Sequence, residues 1–390
     1  MIVRHFIGWV RTAPASERAE ATRSLARAWL LSDLSADDSA AAEGALLMML
    51  DDSSPLVRQA MAEVFARSAD APAAIVQALA QDQASIALPI LEHSPLLLDA
   101  DLVDLVATRS CEVQRAVARR MDLPASVCAA IAEVGCADAV FDLIQNPSAE
   151  LIAFSWDRIV ERHGHVADIR EAMLSLDGLP AATRLALIAK LSDVLAQFVV
   201  GKNWLSADRA RRITSEAMDR STLHVAGKSR GDDMRGMVRH LRQAGQLTSG
   251  LILRALLSGN IELFDYALVE LTGLPQNRVS AMLHDASGAS VQALLTRAGL
   301  PDSSFPAFIA ALSAHHETGF VATIGGATRL RRRVVERVLT LCETDEASSE
   351  QLLLLLRRFA MESAREEARM FCDELASDMI APSRFARAAA

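Results

Sequence analysis

The apolar residues of this chain fall in short bursts at helical spacing, separated by brief polar, Pro or Gly breaks, and in the N-terminal half the bursts recur. Four segments align: SPLVRQAMAEVFA from Ser54, QASIALPILEHSP from Gln83, SCEVQRAVARRMD from Ser110 and CADAVFDLIQNPS from Cys136. With Val57, Ile86, Val113 and Val140 taken as equivalent, the intervals are 29, 27 and 27 residues. Shorter apolar segments lie between them, with Ile75, Leu102 and Val127 at intervals of 27 and 25. Two short helices and a tight turn fill a period of this size. The pattern therefore predicts an all-α fold in which helix pairs stack as an α-solenoid.

The first unit carries its local physics openly. Asp51 and Asp52 end one helix, Ser54 suits an N-cap and Pro55 suits the first helical position. Leu56, Val57, Ala60, Met61, Val64 and Phe65 then form an apolar stripe, while Arg58 reaches back toward the acidic turn and across to the neighbouring unit. An acidic turn followed by Val-Arg in the second helix resembles the HEAT-repeat pattern. The pattern weakens at Ser110–Asp122, where Val113 and Arg115 are one residue further apart, and Ile86 has no Arg partner.

Downstream the rhythm changes. Residues 151–202 read as longer helices, and residues 246–299 as helices stopped by Gly259, Gly273, Gly288 and Gly299. Charge shifts as well. Residues 1–200 hold 16 basic and 27 acidic groups, a net of −11; residues 201–390 hold 24 and 22, a net of +2. The expected organisation is capping helices over 1–50, HEAT-like repeats over 51–200, a second helical domain over 201–380 and a flexible tail over 381–390, with the division at GKNWLS, 201–206. The stretch GQLTSGLILRALLSGNIELFDYALVELTGLPQNRVSAMLHDASGASVQALLTRAGLP, from Gly245 to Pro301, resembles the most characteristic part of a bacterial family, domain of unknown function 2336. The similarity runs from about Asp51 to Pro301. It implies a helical fold with HEAT-like repeats, and it brings no catalytic or cofactor residue to transfer.

Composition narrows the classes. Of 390 residues 51% are hydrophobic and only 4% aromatic, with a single Tyr, which favours Leu- and Ala-rich helices over sheet. The most apolar stretch, Leu185–Val200, is broken by Lys190 and Asp193, so no membrane span is expected. The apolar first twelve residues lack the length of a signal peptide and are expected to pack on the next helix. Five scattered cysteines (Cys111, Cys128, Cys136, Cys342 and Cys372) form no CxxC pair and read as reduced, buried thiols of a cytoplasmic protein. Cys128 and Cys136 lie in neighbouring helical stretches, but no His or carboxylate spacing completes a metal site there.

Candidate chemistry is sparse. There is no GxSxG, no GxxxxGK[ST] and no GxGxxG. His163 with His165, and His315 with His316, lack further ligands at metal spacing, so neither a metal nor a cofactor is expected. Nucleic acid is a poor fit for an acidic repeat half. The basic segment 202–242 stands out, with ten cations against five carboxylates. Arg235, Arg239 and Arg242 share one helical face, with Arg209 and Arg212 upstream. Arg329 and Arg332, after Gly325-Gly326, are weaker anion candidates. The functional expectation is a scaffold or regulatory adaptor that binds another protein. The alternative is a binding protein for a small anionic ligand using the basic segment, and an enzyme stands last.

Overall fold

In the computed structural model, residues 2–284, 288–318, 326–344 and 349–380 are described, without side chains at 2–4, 316–318, 326–330, 374 and 376–380. The described residues form α-helices joined by short loops, with one isolated bridge between Leu123 and Ala149 and no strand. The fold is all-α. Arg329, together with the tail over 381–390, lies outside the described side chains. No helix among the described residues is long and apolar enough to cross a membrane.

The chain divides into two compact units, Met1–Leu179 and Pro180–Ala390. The first holds α1 (Ile2–Val10), α2 (Ala15–Leu31), α3 (Ala36–Met49), α4 (Pro55–Phe65), α5 (Ala73–Ala80), α6 (Ala84–His93), α7 (Asp99–Thr108), α8 (Cys111–Ala118), α9 (Ala125–Val134), α10 (Ala137–Gln145), α11 (Ala153–His163) and α12 (Ala167–Leu174). Most of these helices pack chiefly on the helix two places away, while α3 and α5 pack more on α2 and α6. One row runs α2, α4, α6, α8, α10, α12 and the other α7, α9, α11, with cross-contacts such as α5 to α6 and α7 to α8. The periodic positions supply the seam: Val57, Ile86, Val113 and Val140 are buried in successive even helices, and Ile75, Leu102 and Val127 in successive odd ones. The helices at 1–50 already belong to this arrangement. α2 packs on α4, Trp29 meets Phe65 edge-on, and Arg18 pairs with Asp52 at 2.7 Å.

Polar side chains repeat with the same period. Arg58 donates to the carbonyl of Asp52 in its own turn and to the Asp82 carboxylate in the next, each at 2.5 Å. Ser54 and Pro55 take the N-cap and first helical positions, but the Ser54 hydroxyl makes no cap bond; Asp52 accepts from the Ser54 N–H instead. Helix C-termini leave carbonyls without intrahelical partners, and side chains from the helix stacked above satisfy them. Arg120 reaches Leu91 and Ser94, Asn146 reaches Ala118 and Arg120, and Arg162 reaches Ala132 and Gly135.

The cysteine reading needs correction. Cys111 and Cys136 form a disulfide, and Cys372 is exposed; Cys128 and Cys342 are buried and outside that disulfide. Cys111 is the first residue of α8 and Cys136 the N-cap of α10, and same-row stacking brings those two helix starts together. Cys128 belongs to the other row, where burial pushes its thiol up to about 11.

The second unit holds α13 (Ala181–Gly201), α14 (Ala207–Lys228), α15 (Gly231–Gln243), α16 (Ser249–Leu257), α17 (Ile261–Thr272), α18 (Gln276–Leu283), α19 (Ala289–Arg297), α20 (Phe305–Thr318), α21 (Gly326–Thr344) and α22 (Glu350–Ile380). It begins some twenty residues before the charge shift at 201–206, because α13 packs on α14 and α15. α16 is its central helix: every residue from Leu251 to Leu257 is buried, as befits a helix apolar on all sides. Phe264 of α17 stacks with Phe308 of α20, ring centroids 6.0 Å apart. Gly273, in the left-handed region, ends α17 as the sequence predicts, whereas Gly288, also left-handed, opens α19 rather than closing α18.

Because the seam of the first unit is built from these recurring positions, Ile86→Ala is expected to cost about 2–5 kcal/mol in urea unfolding, the range for truncating a fully buried Ile. Leu56→Ala, one residue before the seam in α4 and more than half exposed, is expected to stay within about 0.5 kcal/mol of wild type.

Candidate functional site

The most concentrated chemistry in either unit surrounds Arg254. It is the one charged residue in the apolar run LILRALL of α16, and its side chain is 7% exposed. A buried guanidinium is costly unless it is paired and hydrogen-bonded. Arg254 donates to Glu362 of α22, lies 3.5 Å from Asp219 of α14 and sits 4.4 Å over the Phe359 ring. Burial raises the Asp219 carboxyl above its ordinary range, against the opposing pull of Arg254.

Two further ion pairs fix the register of α14 on α22. Glu216 pairs with Arg358 at 2.7 Å and Arg220 with Glu362 at 2.6 Å. Both partners lie 142 residues apart, so the helices run in the same direction. The hydrogen bond to Glu362 raises the Arg220 guanidinium still further above its already high value. One to two turns beyond these clasps, His224, Gly227 and Lys228 of α14 stand across from Arg365, Glu366 and Arg369 of α22, and a cleft of about 700 Å³ opens between them. Leu257 of α16, Val335 of α21 and Phe359 of α22 are the apolar part of its lining.

The lining is strongly cationic: Arg220, Lys228, Arg254, Arg331, Arg365 and Arg369 against Glu362 and Glu366, a formal +4. Glu362 is shared by Arg220 and Arg254, and Glu366 takes Arg331 at 2.9 Å. Lys228, Arg365 and Arg369 make no ion pair among the described residues. The buried Nε of Arg331 has no hydrogen-bond partner there either. An orphaned buried donor beside surplus cations is an arrangement that an oxyanion completes.

The residues singled out from sequence fall elsewhere. Arg235, Arg239 and Arg242 do share a face of α15, but Arg235 pairs with Asp232 and rests over Tyr266, and Arg242 donates to the backbone and carboxylate of Glu270 on α17. Arg239 is exposed on the same helix, and Arg209 and Arg212 are exposed near the start of α14. Arg332 is engaged by Glu336 and Glu367, while its neighbour Arg331 lines the cleft. The basic segment does contribute to the cleft, through Arg220 and Lys228. The sequence signal for Arg254 was its solitary charge inside an apolar helix.

Other ionisable groups do not assemble into a centre. His315 bonds to the Leu256 carbonyl, and burial lowers the His163 imidazole. No group of three potential metal ligands occurs among the described residues. Asp265 of α17 is half-buried with one carboxyl oxygen unpartnered, and burial pushes it up to about 6.

Fold and site together define an all-helical protein whose C-terminal unit carries a cationic cleft. The family described as an uncharacterised protein conserved in bacteria, domain of unknown function 2336, matches residues 86–346, and the chain belongs to that family. The match begins later than the sequence resemblance and runs past Pro301, through α20 and α21. No curated protein and no solved structure matches the chain.

Arg254→Ala is expected to destabilise the protein by about 1.5–3 kcal/mol in denaturant unfolding, since Asp219 loses its buried partner and Glu362 keeps only Arg220. For Asp265 the folded state holds its proton more tightly than the unfolded chain, so it is fully favourable below the ordinary carboxylate range and loses that contribution as pH rises through about 6. Asp265→Asn should therefore stabilise the protein at pH 7, by roughly 1–2 kcal/mol after discounting for solvent access, and have little effect at pH 4 in parallel melts.

Proposed function

We propose that this protein binds a small polyanion, a nucleotide or another phosphorylated compound, in the cleft between α14 and α22. The observation that carries the reading is the surplus of cations in one concavity, with Lys228, Arg365 and Arg369 unneutralised around the orphaned Arg331 Nε. Guanidiniums on two parallel helices present forked donors to phosphate oxygens. The apolar lining at Leu257, Val335 and Phe359 gives a base or other apolar moiety a surface to lie on. The reading is one of binding rather than turnover: its support is charge and shape, not a nucleophile with a base. The basic segment expected from sequence to serve such a ligand takes part through Arg220 and Lys228, not through the α15 arginines.

A second reading, the scaffold or adaptor, has its own support in the two-row stacking of the N-terminal unit. We propose that this array is a HEAT-like solenoid, whose neighbour-only packing leaves helix faces free to meet another protein.

Thermal shift and calorimetry on the full chain with pyrophosphate, ATP and GTP, against an uncharged nucleoside, test the first reading. At least one phosphorylated compound should raise Tm in step with the logarithm of its concentration. Arg365→Ala with Arg369→Ala, both exposed, should weaken that binding by roughly tenfold or more while leaving the unliganded melt in place. Absence of any response, or unchanged affinity in the double variant, rules the reading out.

A further inference from the structure

The hairpin of α13 and α14 exposes an apolar surface that the cleft does not use. The two helices lie against each other along their length, with Ser192 meeting Met218 and Ala210 buried between them. Near the base α13 buries Ala181, Leu185 and Leu187, but toward the tip the stripe of Leu191, Val194, Leu195 and Phe198 turns outward, at i, i+3, i+4 and i+7. Val194, Leu195 and Phe198 are about half exposed, Ile213 of α14 is 48% exposed, and Trp204 in the turn is 68% exposed and packed edge-on against Phe198.

We infer that this face joins two copies of the chain, hairpin against hairpin, in a two-fold dimer. Three observations select that occupant. First, the spacing is that of a helix seam, which another helix fills by interdigitation. Second, α13 carries only Arg184, Lys190 and Asp193, so a symmetric copy lies along it without strong like-charge repulsion. Third, the five exposed side chains offer apolar area on the order of 500–600 Å² per copy, and a polar rim of ordinary width brings that to the roughly 800 Å² per partner of a stable interface. The flanking Arg209 and Arg212 belong to that rim, which gives these sequence-selected residues a place outside any ligand site. The inference is independent of the anion-binding reading.

Light scattering coupled to size exclusion, with sedimentation velocity over about 1–100 μM, tests it on the full chain. Wild type should run at twice the monomer mass. Phe198→Glu and, separately, Val194→Lys should weaken association by roughly a hundredfold and give the single-chain mass at about 10 μM. Both positions are exposed, so helicity by circular dichroism should be unchanged, and Arg239→Glu on α15 should leave the dimer intact. A single-chain mass for wild type at the highest concentration, or dimers that persist in both variants, overturns the inference. So does a monomeric wild type that sediments with phosphatidylglycerol vesicles and loses that association in Phe198→Glu, an outcome that assigns the face to a bilayer.

Discussion

A guanidinium in the middle of a fully buried apolar helix must find its counter-charges inside the protein, and the C-terminal unit is arranged around meeting that demand for Arg254. Leaving it unpaired would cost several kcal/mol. The solution draws Glu362 and Phe359 from α22 and Asp219 from α14 onto one point of α16. Two long helices distant in sequence are thereby clasped at one level. Among the described residues no comparable clasp follows at the next turns, and the residues there line the open cleft. The cationic cleft is a consequence of that clasp: neutralisation is local to Glu362 and Glu366, while Lys228, Arg365 and Arg369 are left with a charge excess.

The N-terminal unit answers to a different constraint. Its helices are eight to seventeen residues long, most of them too short to be more than marginal in isolation. Most gain stability by burying a stripe on the helix two places away, and the ends of α6, α8 and α9 have their carbonyls bonded from the next level. Arg120, Asn146 and Arg162 perform that second task at intervals set by the repeat. Apolar seam and polar capping therefore recur together, and the period is stronger in the structure than in the sequence.

What could be read beforehand follows from the range of the interactions. The recurrence at Val57, Ile86, Val113 and Val140 was legible because each position is buried for the same local reason. The end of α17 at Gly273 was legible because a left-handed residue is needed at that point. The division of the chain was displaced, because charge balance changes at 201–206 while packing already commits α13 to the second unit at Ala181. The cleft is not legible in the sequence, because Arg254 and Glu362 are 108 residues apart and no spacing rule connects them. Arg235 and Arg242 drew attention by sharing a helical face, yet a shared face is also what lets them settle against α17. The pairing of Cys111 with Cys136 is not legible from local sequence, because the array brings alternate helices together rather than successive ones.

The link between Cys111 and Cys136 has a consequence for how the array comes apart. A stack held only by nearest neighbours can peel from either end, one layer at a time, since no contact reaches past the adjacent level. A covalent tie between the starts of α8 and α10 closes a loop of 25 residues around α9, so those levels cannot drift apart while it stands. Peeling that begins at α2 or at α12 meets a stop partway along, and the middle of the stack becomes the last part to let go.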